Sequence, residues 1–130
     1  MLAVRLTRLD AEVGRRQQIA ARYDAALAGA VESPRTRKGA QHAYHLYVLR
    51  SPRRDELAAA LNEAHIGTGI HYPVPVHLQK AYIGRIAAGP SGLGESERAS
   101  REVLSLPMHP FLADADIDRV AETVKKWTRA

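Results

Sequence analysis

The sequence predicts an α+β fold that begins with a long helix, and three observations carry that expectation. Apolar residues recur at helical steps from Leu2 to about Ala28, the stretch "HAYHLYVLR" alternates in the manner of a strand, and two further helical stripes follow it. In the first segment Leu6, Leu9, Val13, Ala20, Tyr23 and Leu27 recur at three- and four-residue steps, with one seven-residue step, and polar residues fill the remainder. At 1.5 Å per residue such a helix would run roughly 40 Å, more than a small core can cover. Part of its apolar stripe is therefore expected to face a further domain or a second subunit. Gly29 can stop the helix, and "ESPRTRKG" has the composition of an exposed loop.

His42 to Arg50 reads as a strand with Tyr44, Leu46, Val48 and Arg50 on one face and Ala43, His45, Tyr47 and Leu49 on the other, covered on both sides. A helix follows, with Ser51 as its cap, Pro52 in its first turn and Leu57, Leu61 and Ala64 along its stripe, and it ends before Gly67. Thr68 to His71 is a short extended piece. Pro73 and Pro75 hold "YPVPV" extended and keep it out of a central strand, and "HLQKAY" can form a brief helix with Leu78 and Tyr82 on one side. The loop "GRIAAGPSGLG" leads to a helix around "ESER", a short apolar strand from Val103 to Leu106 and a proline-bounded turn. A last helix, capped near Asp114, carries the stripe Ile117, Val120, Ala121, Val124 and Trp127. The expected organisation is one domain over 1–130, with 1–29 as a linking helix and 42–130 as a small α+β unit.

Composition excludes several classes. The chain is 45% apolar and 25% charged, as ordinary globular chains are. It has no cysteine, so disulfides, thiolate metal sites and thiol nucleophiles are out, and a reducing compartment, the cytoplasm, is expected. Charges come too early for a signal peptide, and no run is long enough for a membrane span. The net charge of +5 is unevenly spread: residues 1–54 hold 11 Lys/Arg against 4 Asp/Glu, and residues 55–130 hold 8 against 10. Without aromatic residues interleaved to stack bases, that bias does not predict a nucleic-acid binder.

The stretch "IGTGIHYPVPVHLQKAY" concentrates the candidate chemistry. His65, His71 and His77 stand six residues apart, unlike the closer spacing that places metal ligands on one helix face, and no acidic residue lies between them. A metal site is not expected, and His45 reads as a satisfied core or sheet histidine. Prolines fix the backbone between His71 and His77, so both can be displayed to a ligand or an interface at small entropic cost. Tyr72 suits either the core or a stacking contact. Gly67 and Gly69 lack any accompanying phosphate-loop or dinucleotide pattern, no serine sits in a nucleophile elbow, and none of Lys38, Lys80, Lys125 and Lys126 shows the surroundings of a reactive amine. The residues alone describe a binding surface and assign no catalytic group.

Taken in order, "HAYHLYVLR", "IGTGIHYPVPVHLQKAY", "SER" and "LSLPMHPFLADADIDRV" resemble the C-terminal segment of the DegT/DnrJ/StrS type of pyridoxal-phosphate aminotransferases, which act on nucleotide sugars. The opening helix resembles the one that leads from that family's cofactor domain into its small domain. The resemblance implies a small, mostly antiparallel sheet with helices packed on it. It also implies an enzyme that moves an amino group from glutamate or glutamine to a nucleotide-linked keto-sugar through pyridoxal phosphate. In such enzymes the aldimine lysine and most cofactor contacts belong to the large domain, so a cofactor is expected in the complete enzyme and neither cofactor binding nor activity in this chain alone. The implied partners are that large domain, as the same gene product or a separate chain, the nucleotide sugar, and a second copy in a homodimer. His71, Tyr72 and His77 become the candidates for the substrate side. Gly69 stands where some members have arginine, so no phosphate contact is expected there. The alternative is a non-catalytic interaction module that uses the exposed helix face.

Overall fold

The computed structural model describes residues 6–130. Helix α1 spans Leu9–Leu27, strand β1 Tyr47–Arg50, helix α2 Arg54–Glu63, a single 3-10 turn Val76–Leu78, helix α3 Gly94–Glu102, strand β2 Val103–Leu106 and helix α4 Asp114–Thr128. The architecture is α+β, as expected. The two strands pair antiparallel, Tyr47 opposite Leu106 and Arg50 opposite Val103. Single antiparallel bridges flank the pair, Glu32 to Arg50 outside β1 and Gly69 to Ser105 outside β2.

A two-stranded ribbon is marginal in water, so its stability must come from what covers it. Tyr47 and Leu49 of β1 and Leu104 of β2 are fully buried with Ile19, Tyr23 and Leu27 of α1, Leu57 and Leu61 of α2, and Ile117 and Val124 of α4. Both α1 and α2 pack mainly on α4. Each such side chain contributes about 1.5–3 kcal/mol by burial, whereas an exposed ion pair contributes about 0–1 kcal/mol. The core therefore holds α1 in place, and the pairs of Arg15 with Asp114 and of Arg22 with Asp114 and Asp118 refine its alignment.

Two phenols sit at the centre of this core. The Tyr23 hydroxyl donates to the carbonyl of Pro107 at 3.1 Å and the Tyr47 hydroxyl to Asp24 Oδ1 at 2.7 Å, with ring centroids 4.9 Å apart. Burial pushes both phenols well above the ordinary tyrosine value, the Asp24 carboxylate adding to the effect at Tyr47, so both remain donors. Arg16 has a different task. Its Nη1 donates to the carbonyls of Tyr44, His45 and Met108, joining α1 to two loops that have no regular pairing of their own.

Several local expectations are corrected. The strand expected from His42 is regular only from Tyr47, because Arg16 takes the carbonyls of Tyr44 and His45 that a ladder would use. Tyr44 adopts φ 46°, and its N–H donates to His42 Nδ1 at 2.8 Å. His45 is thus an exposed loop residue and lies outside both core and sheet. Ser51 and Pro52 form a turn ahead of α2, where Ser51 Oγ accepts from the Arg53 N–H, and the helix starts only at Arg54. Asp114 is the first residue of α4 and does not cap it; its carboxylate faces Arg15 and Arg22. Only the 3-10 turn forms within "VHLQKAY" as a helix, and Leu78 and Tyr82 remain exposed. The expected helix start at Leu2 lies outside the described residues, while Leu6 and Leu9 are 69% and 50% exposed, in line with a stripe longer than its own core.

Replacing Arg16 by Ala strips a donor from three carbonyls and should lower stability by about 1–3 kcal/mol in urea unfolding, with Arg101→Ala as a near-neutral control. The arginines hold Asp114 and Asp118 below the ordinary aspartate value, chiefly through their hydrogen bonds from Arg15 and Arg22. A lowered folded-state value gives stabilisation that is complete above the unfolded-state value near 4 and is lost as pH falls through the lowered one. Arg22→Ala should therefore cost stability at neutral pH and little at about pH 2, and the difference should shrink with added salt.

Candidate functional site

The site is built from the segment after α2. Gly69 exchanges both backbone hydrogen bonds with Ser105 of β2, its N–H to the Ser105 carbonyl at 3.1 Å and its carbonyl from the Ser105 N–H at 2.7 Å. This anchors the start of "GIHYPVPVHL" to the sheet. Pro73 and Pro75 then carry the chain away from the ladder, and the 3-10 turn closes with the Leu78 N–H on the Pro75 carbonyl at 3.0 Å and the Gln79 N–H on the Val76 carbonyl at 3.1 Å. The turn points His77 back toward α3, where Nε2 lies 3.0 Å from Glu97 Oε1.

Between this segment and α3 lies a groove of about 410 Å³. His71, Tyr72, Pro75, Val76 and His77 line one side, Leu93, Ser96, Ala99 and Ser100 the other, with Val103, Gln79 and Ile86 completing it. Short side chains on the facing stripe of α3 leave the space open. The three residues singled out in the sequence are thus brought to one place, in different states. His71 bonds Ser105 Oγ through Nδ1 at 2.9 Å. Tyr72 is 74% exposed and meets the His71 ring edge-on at 5.7 Å. The His77 side chain is 14% exposed and committed to Glu97, so it serves the wall of the groove as well as its lining. His65 lies elsewhere, following α2 with φ 57°, and among the described residues no group of three or more metal-binding side chains occurs.

Ser105, Glu97 and Gly69 are structural partners of this site that the sequence reading did not assign. A Cβ built on Gly69 would sit 2.6 Å from His71 Cε1, so the absence of a side chain there is what lets the imidazole lie over the backbone. Ser105 carried one weak signal, a hydroxyl inside the apolar strand "VLSL". The Glu97 pairing spans 20 residues and had none. Beside the groove the chain exposes Tyr72, Val74, Val76, Leu78, Tyr82, Ile83 and Ile86, more apolar surface in one run than a free surface ordinarily carries.

A second, larger space of about 800 Å³ opens between α2 and α4, lined by Ala60, Ala64, Arg119, Trp127 and the last residues of the chain. It gathers none of the candidate residues. The Arg119 guanidinium reaches the Ala64 carbonyl across it, and Arg53 lies 4.9 Å over the Trp127 ring.

Residues 1–125 match the profile of the DegT/DnrJ/EryC1/StrS aminotransferase family. The chain belongs to this family. It is 42% identical over 130 residues to the dTDP-3-amino-3,4,6-trideoxy-alpha-D-glucose transaminase of Streptomyces venezuelae, an alignment covering 98% of this chain and 34% of that protein. Among solved structures, S. venezuelae DesV in complex with a ketimine intermediate superposes with a TM-score of 0.94 at 40% identity, covering 99% of this chain and 35% of that one. A DegT DnrJ EryC1 StrS aminotransferase from Brucella abortus also gives 0.94, at 36% identity, with 99% and 34% covered. The family is pyridoxal-phosphate-dependent. The chain spans about a third of the length of the relatives it matches. Among the described residues no helix is long and apolar enough to cross a membrane.

Replacing Glu97 by Ala should release the 3-10 turn. Hydrogen exchange at the Leu78 and Gln79 amides should accelerate while the amides of α2 keep their protection, and unchanged exchange at the turn would show that the His77–Glu97 contact does not hold it.

Proposed function

We propose that this chain is the C-terminal, small-domain part of a pyridoxal-phosphate-dependent aminotransferase acting on a nucleotide-linked keto-sugar, with glutamate or glutamine as amino donor. The groove of His71, Tyr72 and His77 is its substrate-facing wall. The observation that carries the reading is the co-location of these three residues on one open groove in a chain whose relatives are sugar aminotransferases about three times its length.

The lining supports a binding role. Two imidazoles, a phenol and serine hydroxyls can bond sugar or phosphate oxygens, and the proline and valine side chains make a stiff apolar wall. The same lining does not fit the cofactor. No lysine, arginine or carboxylate lines the groove, so it offers no amine for an imine link, no acid for the pyridine nitrogen and no cation for the cofactor phosphate. Amino transfer in this reading is supplied by pyridoxal phosphate held in the family's large domain, and the present residues bind and orient the sugar nucleotide. The exposed run from Tyr72 to Ile86, with Leu9 on α1 and Leu6 just before it, fits surfaces that the large domain or a second copy in a cytoplasmic homodimer would cover. Exposed helix residues would serve an interaction module equally, and membership of the family supports the first reading.

The test is a chimaera in which this chain replaces the matching third of the S. venezuelae transaminase. It should take up cofactor and transfer an amino group to a dTDP-linked keto-sugar. His71→Ala or His77→Ala should raise KM for the sugar by about tenfold or more while leaving the cofactor absorbance and the amino-donor half-reaction unchanged. A folded, cofactor-loaded chimaera without transfer, or unaltered kinetics in both variants, would overturn the reading.

A further inference from the structure

Ser105 and His71 are joined in a way that bears on which ring nitrogen carries the proton. Ser105 is 4% exposed, and the contact of its Oγ with His71 Nδ1 at 2.9 Å is the hydroxyl's one hydrogen bond among the described residues. Were Nδ1 to carry the hydrogen and donate, the buried hydroxyl hydrogen would have no acceptor. Leaving such a donor unpaired is costly, and the opposite arrangement leaves nothing unpaired. The hydroxyl therefore donates to Nδ1, and the neutral imidazole holds its hydrogen on Nε2. Gly69 completes the arrangement, since the ring rests where any Cβ would collide with Cε1. Nε2 has no partner among the described residues, and His71 lines the groove.

We propose that Ser105 is a positioning residue which, with Gly69 beneath the ring, fixes His71 as the Nε2–H tautomer, so that His71 meets its ligand as a hydrogen-bond donor to an oxygen atom. The ligand class, an oxygen-rich sugar nucleotide, rests on the function proposed above. The tautomer and its cause rest on this chain alone. Ser105 touches no ligand in this account and acts through the ring it orients. A sugar hydroxyl, a keto oxygen or a phosphate oxygen meets the requirement, whereas a ligand group that only donates, such as an ammonium, does not.

The experiment is nitrogen-15 imidazole spectroscopy on the 130-residue chain without ligand, well above the ordinary histidine pKa. His42 supplies an internal reference, because the Tyr44 N–H donates to its Nδ1 and its hydrogen must also lie on Nε2. His71 should show the same pattern, a pyridine-type Nδ1 and a pyrrole-type Nε2. Ser105→Ala should convert it to an average of both tautomers, and Gly69→Ala, which displaces the ring without touching the hydroxyl, should do the same. An Nδ1–H or averaged pattern in the unaltered chain overturns the proposal, as does a fixed pattern that survives either variant. Should Ser105→Ala fail to fold, Gly69→Ala decides. In the chimaera, Ser105→Ala should raise KM for the sugar by roughly 2- to 10-fold with cofactor absorbance unchanged. An effect of His71→Ala without one of Ser105→Ala overturns the positioning role, and no effect of His71→Ala overturns the substrate reading while leaving the tautomer assignment standing.

Discussion

Strand β2 is bonded along both edges, and that constraint organises the molecule. Leu104 and Leu106 face the core while the backbone of Ser105 closes a two-bond bridge with Gly69, so one four-residue strand fixes both the packing centre and the start of the groove. The other edge pairs with β1, whose Tyr47 and Leu49 carry the core toward α1. Because the ribbon has so few hydrogen bonds, its register depends on the burial of these alternating side chains. A slip by one residue would turn Leu104 and Leu106 outward and carry Ser105, with its hold on His71, away from the groove.

Helix α1 contributes in two chemically separate ways. Ile19, Ala20, Tyr23 and Leu27 give it an ordinary buried stripe, and the polar atoms on its flanks reach well beyond helix packing. Arg16 supplies one guanidinium to three carbonyls, two of them 28 and 29 residues away and one 92 residues away. A planar cation with several donors is suited to this, since irregular loops leave carbonyls aimed in directions that no ladder satisfies. The ion pairs with Asp114 and Asp118 lie beside it in solvent, and their contribution is correspondingly small. The placement of α1 in the molecule thus follows from burial first, from the ties of Arg16 to two loops second and from surface charge last.

What the sequence made legible and what it concealed divide along sequence distance. The stripe of α4 and the apolar strand at Val103 to Leu106 were legible because periodicity is a local property, and Ile117, Val120, Ala121 and Val124 are buried as their spacing requires. The extent of β1 was not. The residues from His42 to Leu46 have strand propensity, and a competing partner on α1 takes their carbonyls. The same holds for the site. The prolines between His71 and His77 announced a stiff display segment, but the groups that orient the two imidazoles, Ser105 and Glu97, stand 34 and 20 residues away and belong to other elements.

The division of roles between the two histidines follows from where their partners sit. Glu97 is on α3, so its contact with His77 ties the 3-10 turn to the helix on the other side of the groove. Ser105 is in the sheet beneath, so its contact with His71 fixes an orientation and leaves the outer nitrogen unengaged. A carboxylate can only accept from an imidazole, which draws His77 into the scaffold as a donor, whereas a hydroxyl can donate inward and free the other nitrogen to donate outward. The six-residue spacing that makes no sense for a metal gives the two imidazoles separate tasks here, one held against Glu97 on α3 and the other presenting an unengaged nitrogen to the groove. Neither task requires a reactive lysine or carboxylate in the groove, and its lining contains neither.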